Sequence, residues 1–207
     1  MKFFAGAAAL LPFAFSRGFT QKSNNTLLKP VILKEGDTVG IIAPATAVSD
    51  PDDIFRAEEA AAHFGLKIRF GSNLKKGSGY KTRTPEERAD DLHEMFSDGS
   101  IQAVFCIRGG YGSATILDKI DYDLIRRNPK IFLGYSDITA LHLAIRKMSG
   151  MVTFHGPVML SAFSEYTEEH FRKVLFNTEP LGELSNPDIK NNFRELYPVR
   201  TINSGIA

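Results

Sequence analysis

Lys130-Ile131-Phe132-Leu133-Gly134-Tyr135-Ser136-Asp137-Ile138-Thr139-Ala140-Leu141-His142-Leu143 is an apolar run that stops at Gly-Tyr-Ser-Asp and passes straight into a helical pattern. The run predicts a buried strand over Ile131 to Tyr135 and a helix over Ile138 to Met148. Ser136 then stands on the sharp turn between the two. A serine so placed projects its Oγ beyond the sheet edge, next to the free N–H groups and positive dipole end of a helix. Those are the conditions a nucleophilic serine needs. One position departs from a G-x-S-x-G elbow, since Ile138 replaces the second glycine. The competing assignment is that Ser136 or Asp137 simply caps the helix.

Outward from this junction the same pattern repeats. Thr38 to Ala43 reads as a buried strand followed by a loop, Pro44 to Pro51. Asp52 to Phe64 has helical spacing and stops at Gly65, and Leu66 to Phe70 alternates as a strand. Gly71 to Thr84 is a polar loop. Thr84-Pro85-Glu86-Glu87 is a helix start, with a Thr cap, Pro in the first turn and two acids, and the helix runs to Ser97. Ile101 to Ile107 is the next apolar strand. It ends in Arg108-Gly109-Gly110-Tyr111-Gly112-Ser113, and short helices follow to Leu117 and over Asp121 to Arg127. Met151 to Phe154 predicts a strand leading into His155-Gly156-Pro157. Thr167 to Phe176 predicts a last helix, with Phe171, Val174 and Leu175 on its apolar face.

Strands alternating with helices at this spacing predict an α/β fold, a mostly parallel sheet flanked by helices. Ligands of such sheets bind at the carboxyl ends of the strands. The loops 44–49 and 108–113, Ser136 and His155 are therefore expected to converge.

Composition narrows the function. The chain has 207 residues, 43% hydrophobic and 24% charged, with a net charge of +1. That balance argues against a nucleic-acid or acidic-membrane partner. The single cysteine, Cys106, lies within an apolar strand. It excludes an internal disulfide and a cysteine-based zinc site, and reads as a small buried hydrophobe. Met1-Lys2 precedes an apolar run from Phe3 to Phe15 that is too short for a stable membrane span. Residues 1–28 therefore read as a signal-like or disordered leader. Export, including to a periplasm, and a cytoplasmic location both stay open. Residues 29–180 are expected to form the α/β domain. From Leu181 the chain reads as a linker and the start of a further, truncated domain, with a strand expected over Tyr197 to Ile202.

The glycine loop allows two chemistries. Gly109 and Gly110 can aim backbone N–H groups into the crevice, forming an oxyanion hole with the N–H of Asp137. Gly110-x-Gly112 before a helix loosely mimics a dinucleotide fingerprint, but Thr115 replaces its third glycine. Of five histidines, His63, His93 and His170 read as helix-surface residues, and His142 points poorly for a base. His155 ends a strand at the edge that carries Ser136, where it orders the crevice wall or serves as a base. No residue set has metal spacing; Asp121 and Asp123 read as caps, and Asp90-Asp91 as a helix face. Ser136 still lacks an evident base, and a bare serine is a poor nucleophile.

Four segments in order, Arg108-Gly109-Gly110-Tyr111-Gly112, Asn128-Pro129-Lys130, Gly134-Tyr135-Ser136-Asp137-Ile138-Thr139 and Phe154-His155-Gly156-Pro157, together resemble the LD-carboxypeptidases. These are serine peptidases that include muramoyl-tetrapeptide carboxypeptidases and microcin C immunity peptidases. The strand before Pro44 and the helix start at Thr84 fit as well. The resemblance implies Ser136 as nucleophile, and Gly109 or Gly110 with Asp137 as oxyanion donors. It implies Arg108, Tyr111 and His155 as crevice residues. It also implies a catalytic glutamate and histidine from a second domain, expected beyond residue 207, so that this chain alone is an incomplete, inactive enzyme. The implied reaction removes the terminal D-alanine of a murein tetrapeptide and needs no metal or organic cofactor. A murein peptide is the implied partner, and a homodimer the implied assembly of the intact protein. The alternatives are cleavage of a toxic peptidyl-nucleotide, or an inactive relative.

Overall fold

The computed structural model describes residues 27–76 and 83–182. The signal-like leader up to residue 26 and the strand expected at Tyr197 to Ile202 lie outside those residues. Within them five parallel strands form one sheet: β1 (Thr38–Ile42), β2 (Lys67–Phe70), β3 (Ala103–Cys106), β4 (Ile131–Gly134) and β5 (Phe154–His155). Their order is β2-β1-β3-β4-β5. Five α-helices connect or follow them: α1 (Pro51–His63), α2 (Pro85–Ser97), α3 (Tyr122–Arg127), α4 (Thr139–Ser149) and α5 (Glu165–Leu175).

Period-two alternation of the strands builds two cores, one on each face of the sheet. Val39, Ile41, Phe105, Ile107, Ile131 and Leu133 pack with Ala57 and Ala61 of α1 and with Phe171 and Leu175 of α5. Ile42, Val104, Cys106 and Phe132 pack on the other side with Leu92, Met95 and Phe96 of α2, Ile125 of α3, and Leu141 and Ile145 of α4. Burial on both faces is why these strands read as unbroken apolar runs. Cys106 is fully buried, and burial pushes its thiol far above the ordinary range, so it is an inert hydrophobe.

Local signals set the helix ends. The Thr84 hydroxyl accepts from the Glu87 N–H, and the Glu87 carboxylate accepts from the Thr84 N–H, a complete capping box with Pro85 in the first turn. Asp121 caps α3 by accepting from the Leu124 N–H at 2.8 Å, as its spacing predicts. The Asn128-Pro129-Lys130 motif works at the end of β4 remote from Ser136. Lys130 Nζ donates to the Met95 and Asp98 carbonyls at 2.8 and 2.5 Å, tying the end of α2 to the sheet. Burial pulls its pKa down to about 8.

Four expectations need correction. The strand expected over Met151 to Phe154 shrinks to Phe154–His155. Met151 instead bridges Leu28, whose N–H donates to the Gly150 carbonyl at 2.9 Å and whose carbonyl accepts from Val152 at 2.9 Å. The ordered fold therefore includes Leu28, which its apolar neighbours had grouped with the leader. Val174 does not share the apolar face of α5: the helix covers the sheet margin, where only Phe171 and Leu175 reach the core. Asp91 is buried rather than on an open helix face. It accepts from Asn73 N at 2.8 Å and Arg83 Nη1 at 3.0 Å.

The helix after β1 covers one face of the sheet, and the helices after β3 and β4 cover the other. Connections diverge between β1 and β3, which opens a crevice at the carboxyl ends of those strands.

Candidate active site

Ser136 leaves β4 with φ at 62°, the one non-glycine residue with positive φ among the described residues. A side chain in that region is strained, at a cost of about 1–3 kcal/mol that the surrounding structure must hold. Here both neighbours do so. Ile138, the first fully buried residue after the turn, packs on Gly134, where a Cβ would lie 2.8 Å from Ile138 Cγ2. A short 3₁₀ turn, Ser136–Ile138, leads into α4. The strand-to-helix elbow is thus present without the second glycine, because Ile138 points into the core and the glycine at 134 supplies the space.

The glycine loop lies directly against the serine. A Cβ on Gly109 would be 3.3 Å from Ser136 Cβ and 3.7 Å from Ser136 Oγ. Gly110 has φ of +120°, and a Cβ there would lie 2.0 Å from Thr46 Oγ1. Only glycine satisfies both the dihedral and the space. The N–H groups of Gly109, Gly110 and Asp137 donate to no other described residue. They are the free donors that an oxyanion hole requires.

Three anchors hold the loop in this shape. Thr46, from the loop after β1, accepts from the Tyr111 N–H at 3.0 Å. The Asp137 carboxylate accepts from the Ser113 N–H at 2.8 Å, while the Ser113 hydroxyl donates to the Asp137 carbonyl at 2.5 Å. Arg88, buried on α2, donates to the Pro44 and Gly112 carbonyls, both at 2.8 Å, and to Thr115 Oγ1 at 2.8 Å. Burial pulls the Arg88 pKa below its ordinary value, and the Asp137 charge opposes that pull. Arg88 was legible in the sequence only as one residue of a helix start.

Ser136, Tyr135, Arg108, Gly109 and Gly110 share a cleft of about 330 Å³ with Asp53, Arg56, Val158 and Leu160. Asp53 and Arg56 escaped the sequence reading, since one looks like an ordinary first-turn acid of α1 and the other like a surface charge one turn on. They pair at 3.2 Å.

Other expected site residues stand apart. Tyr111 is 81% exposed at the loop tip and is not a wall of this cleft. His155 is exposed and packs edge-on to Tyr135 with ring centroids 6.4 Å apart, lining a neighbouring cleft with Gly156 and Pro157 rather than the one that holds Ser136. It makes no hydrogen bond to Ser136, and among the described residues Ser136 Oγ bonds to no side chain. His142 is buried and hydrogen-bonded through Nε2 to the Gly134 carbonyl at 2.9 Å, beneath the turn. Burial, and next the His155 charge, lower its pKa, while the Gly134 bond opposes them. Among the described residues no three His, Cys, Asp or Glu side chains group as metal ligands, and no helix is long and apolar enough to cross a membrane.

Comparison with known proteins matches the α/β domain that carries this cleft. The LD-carboxypeptidase N-terminal domain matches residues 39–156. A probable murein peptide carboxypeptidase of Bacillus subtilis (strain 168) is 49% identical over 156 residues, 73% of this chain and 49% of that protein. The microcin C7 self-immunity protein MccF of Escherichia coli is 37% identical over 152 residues, 69% of this chain and 44% of MccF. The crystal structure of an MccF-like protein from Bacillus anthracis str. Ames superposes with a TM-score of 0.67 at 34% identity, over 72% of this chain and 47% of that one. The chain spans about half the length of the relatives it matches.

Proposed function

The chain belongs to the LD-carboxypeptidase family through its N-terminal domain, and on that premise we propose that it carries the nucleophile half of a serine carboxypeptidase acting on L,D-amide bonds of murein peptides. The observation that supports it most is the positive φ of Ser136 beside three free backbone donors. Ser136 Oγ attacks the carbonyl ahead of the terminal D-alanine. The N–H groups of Gly109 or Gly110 and of Asp137 receive the oxyanion, D-alanine leaves with a proton, and water hydrolyses the acyl-serine. The serine proton needs an acceptor that the described residues do not offer. In this reading the acceptor is a histidine oriented by a glutamate, both outside those residues, and the whole enzyme is a homodimer. On the same reading the α/β domain ends near residue 180, and 181–207 are the linker and the start of a further domain.

One observation favours a second reading. Tyr135 is 41% exposed in the cleft, so one aromatic face beside Ser136 is open for a nucleobase to stack on. Together with the similarity to MccF this supports cleavage of a peptidyl-nucleotide.

The test is D-alanine release from murein tetrapeptide by the product of the complete reading frame, with Ser136→Ala and the isolated 207-residue chain alongside. Release that vanishes in Ser136→Ala, with little turnover by the isolated chain, is expected. Turnover that survives Ser136→Ala defeats the serine mechanism. Robust turnover by the isolated chain would move the base inside it and point to His155. Inertness on tetrapeptide with cleavage of an aminoacyl-sulfamoyl adenosine selects the second reading.

A further inference from the structure

The cleft that holds Ser136 carries an uncompensated positive charge. Its charged walls are Arg56, Arg108 and Asp53, and Asp53 is already paired with Arg56 at 3.2 Å. The Asp137 carboxylate is committed elsewhere, to the Ser113 N–H at 2.8 Å. Arg108 makes no hydrogen bond or ion pair to any described residue, although it is half-buried. The buried cations of the molecule behave differently. Arg83 is paired with Asp91, Arg88 meets two carbonyls and a hydroxyl, and Lys130 meets two carbonyls. A half-buried guanidinium left unpartnered beside a nucleophile is a place for an anion, because its charge is only partly solvated there and its planar fork matches a carboxylate.

Chain position strengthens the case. Arg108 immediately precedes Gly109, whose backbone approaches Ser136 closely. In a peptide cut before its last residue, the terminal carboxylate lies three bonds beyond the reacting carbonyl carbon, within about 4 Å. That carboxylate must therefore enter the same cleft as the scissile bond. We propose that Arg108, seconded by the Asp53-held Arg56, binds the terminal carboxylate of the substrate and so selects peptides with a free C-terminus. The inference rests on the carboxypeptidase reading and deepens it. Arg108 is a specificity-determining residue, while Arg56 adds charge at the rim, where its own exposure and its pairing with Asp53 weaken it.

The experiment compares a tetrapeptide ending in free D-alanine with the same peptide ending in D-alaninamide. The product of the complete reading frame, its Arg108→Gln, Arg108→Lys and Arg56→Gln variants are assayed on both. Wild type should prefer the free acid by about 10- to 100-fold in kcat/KM, the range of one charge-assisted contact. Arg108→Gln should lose far more on the acid, through KM, than on the amide, so that the preference collapses. Arg108→Lys should fall between, and Arg56→Gln should lose less. Equal losses on acid and amide in a folded Arg108→Gln protein would overturn the inference, as would a wild type indifferent to the terminus. Equilibrium binding of both peptides to Ser136→Ala, with and without Arg108→Gln, separates the two levels. An acid preference that disappears with Arg108→Gln upholds the carboxylate site even where turnover is absent. Absence of that preference together with absence of D-alanine release removes the carboxypeptidase reading as well.

Discussion

At Ser136 the proposed function and stability pull in opposite directions. The residue holds φ at 62°, a conformation that glycine adopts without penalty and other residues do not. Replacing Ser136 by glycine should therefore relieve the turn, and replacing it by alanine should not. We expect Ser136→Gly to be more stable than Ser136→Ala by about 1 kcal/mol, the usual gain from strain relief less the added entropy of an unfolded glycine. Urea unfolding of the two variants measures this. A Ser136→Ala protein equal to or more stable than Ser136→Gly would show that the turn is unstrained. The sequence disclosed this residue because an apolar strand ran through the short Gly-Tyr-Ser-Asp turn straight into a helical pattern. It could not disclose that Ile138 is compatible with the elbow. That depends on Ile138 filling the hollow at Gly134, a contact between positions on different elements.

Among the elements, α2 does more than cover the sheet. Arg88 ties the loop after β1 to the glycine loop after β3 through the Pro44 and Gly112 carbonyls. Removing its guanidinium leaves the buried Pro44 carbonyl unpaired, leaves the Gly112 carbonyl to Thr115 alone, and loosens the loop that carries Gly109 and Gly110. Arg88→Met should cost about 3 kcal/mol of stability, read by urea denaturation. In the product of the complete reading frame it should lower kcat more than KM, since in the proposed mechanism the Gly109 and Gly110 donors act chiefly in the transition state. A loss confined to stability, with kcat intact, would make Arg88 a structural residue only. The helix itself was legible from Thr84-Pro85-Glu86-Glu87, since caps and first-turn acids act locally. Its arginine's partners were not, because Pro44, Gly112 and Thr115 are brought together only by the order of the strands.

For the molecule as a whole, acid sensitivity is expected to follow partly from a histidine outside the cleft. His142 is buried under the β4–α4 turn, and its pKa is lowered, first by burial and then by the neighbouring His155 charge. The folded state thus prefers the neutral ring. Its contribution is complete above the unfolded value, about 6.5, and is lost as pH falls below that value towards the folded one. Unfolding free energy should decline from pH 7.5 to pH 5.5, and His142→Gln, which keeps a donor for the Gly134 carbonyl but does not titrate, should decline less. Equal slopes in the two proteins would rule His142 out as the source. The sequence by itself determined the α/β class, the strand and helix succession and the junction at Ser136, because periodicity, caps and turn residues are local properties. It also carried the family resemblance, which rests on short motifs in order. Only the tertiary structure decided which loops meet at the serine, since the β2-β1-β3-β4-β5 order arises from non-local packing of apolar faces that many strands could have shared. That order set Thr46 against Gly110, brought Arg56 and Asp53 into the cleft beside Arg108, and put His155 in a neighbouring cleft on Tyr135, where strand ends alone had placed it with Ser136.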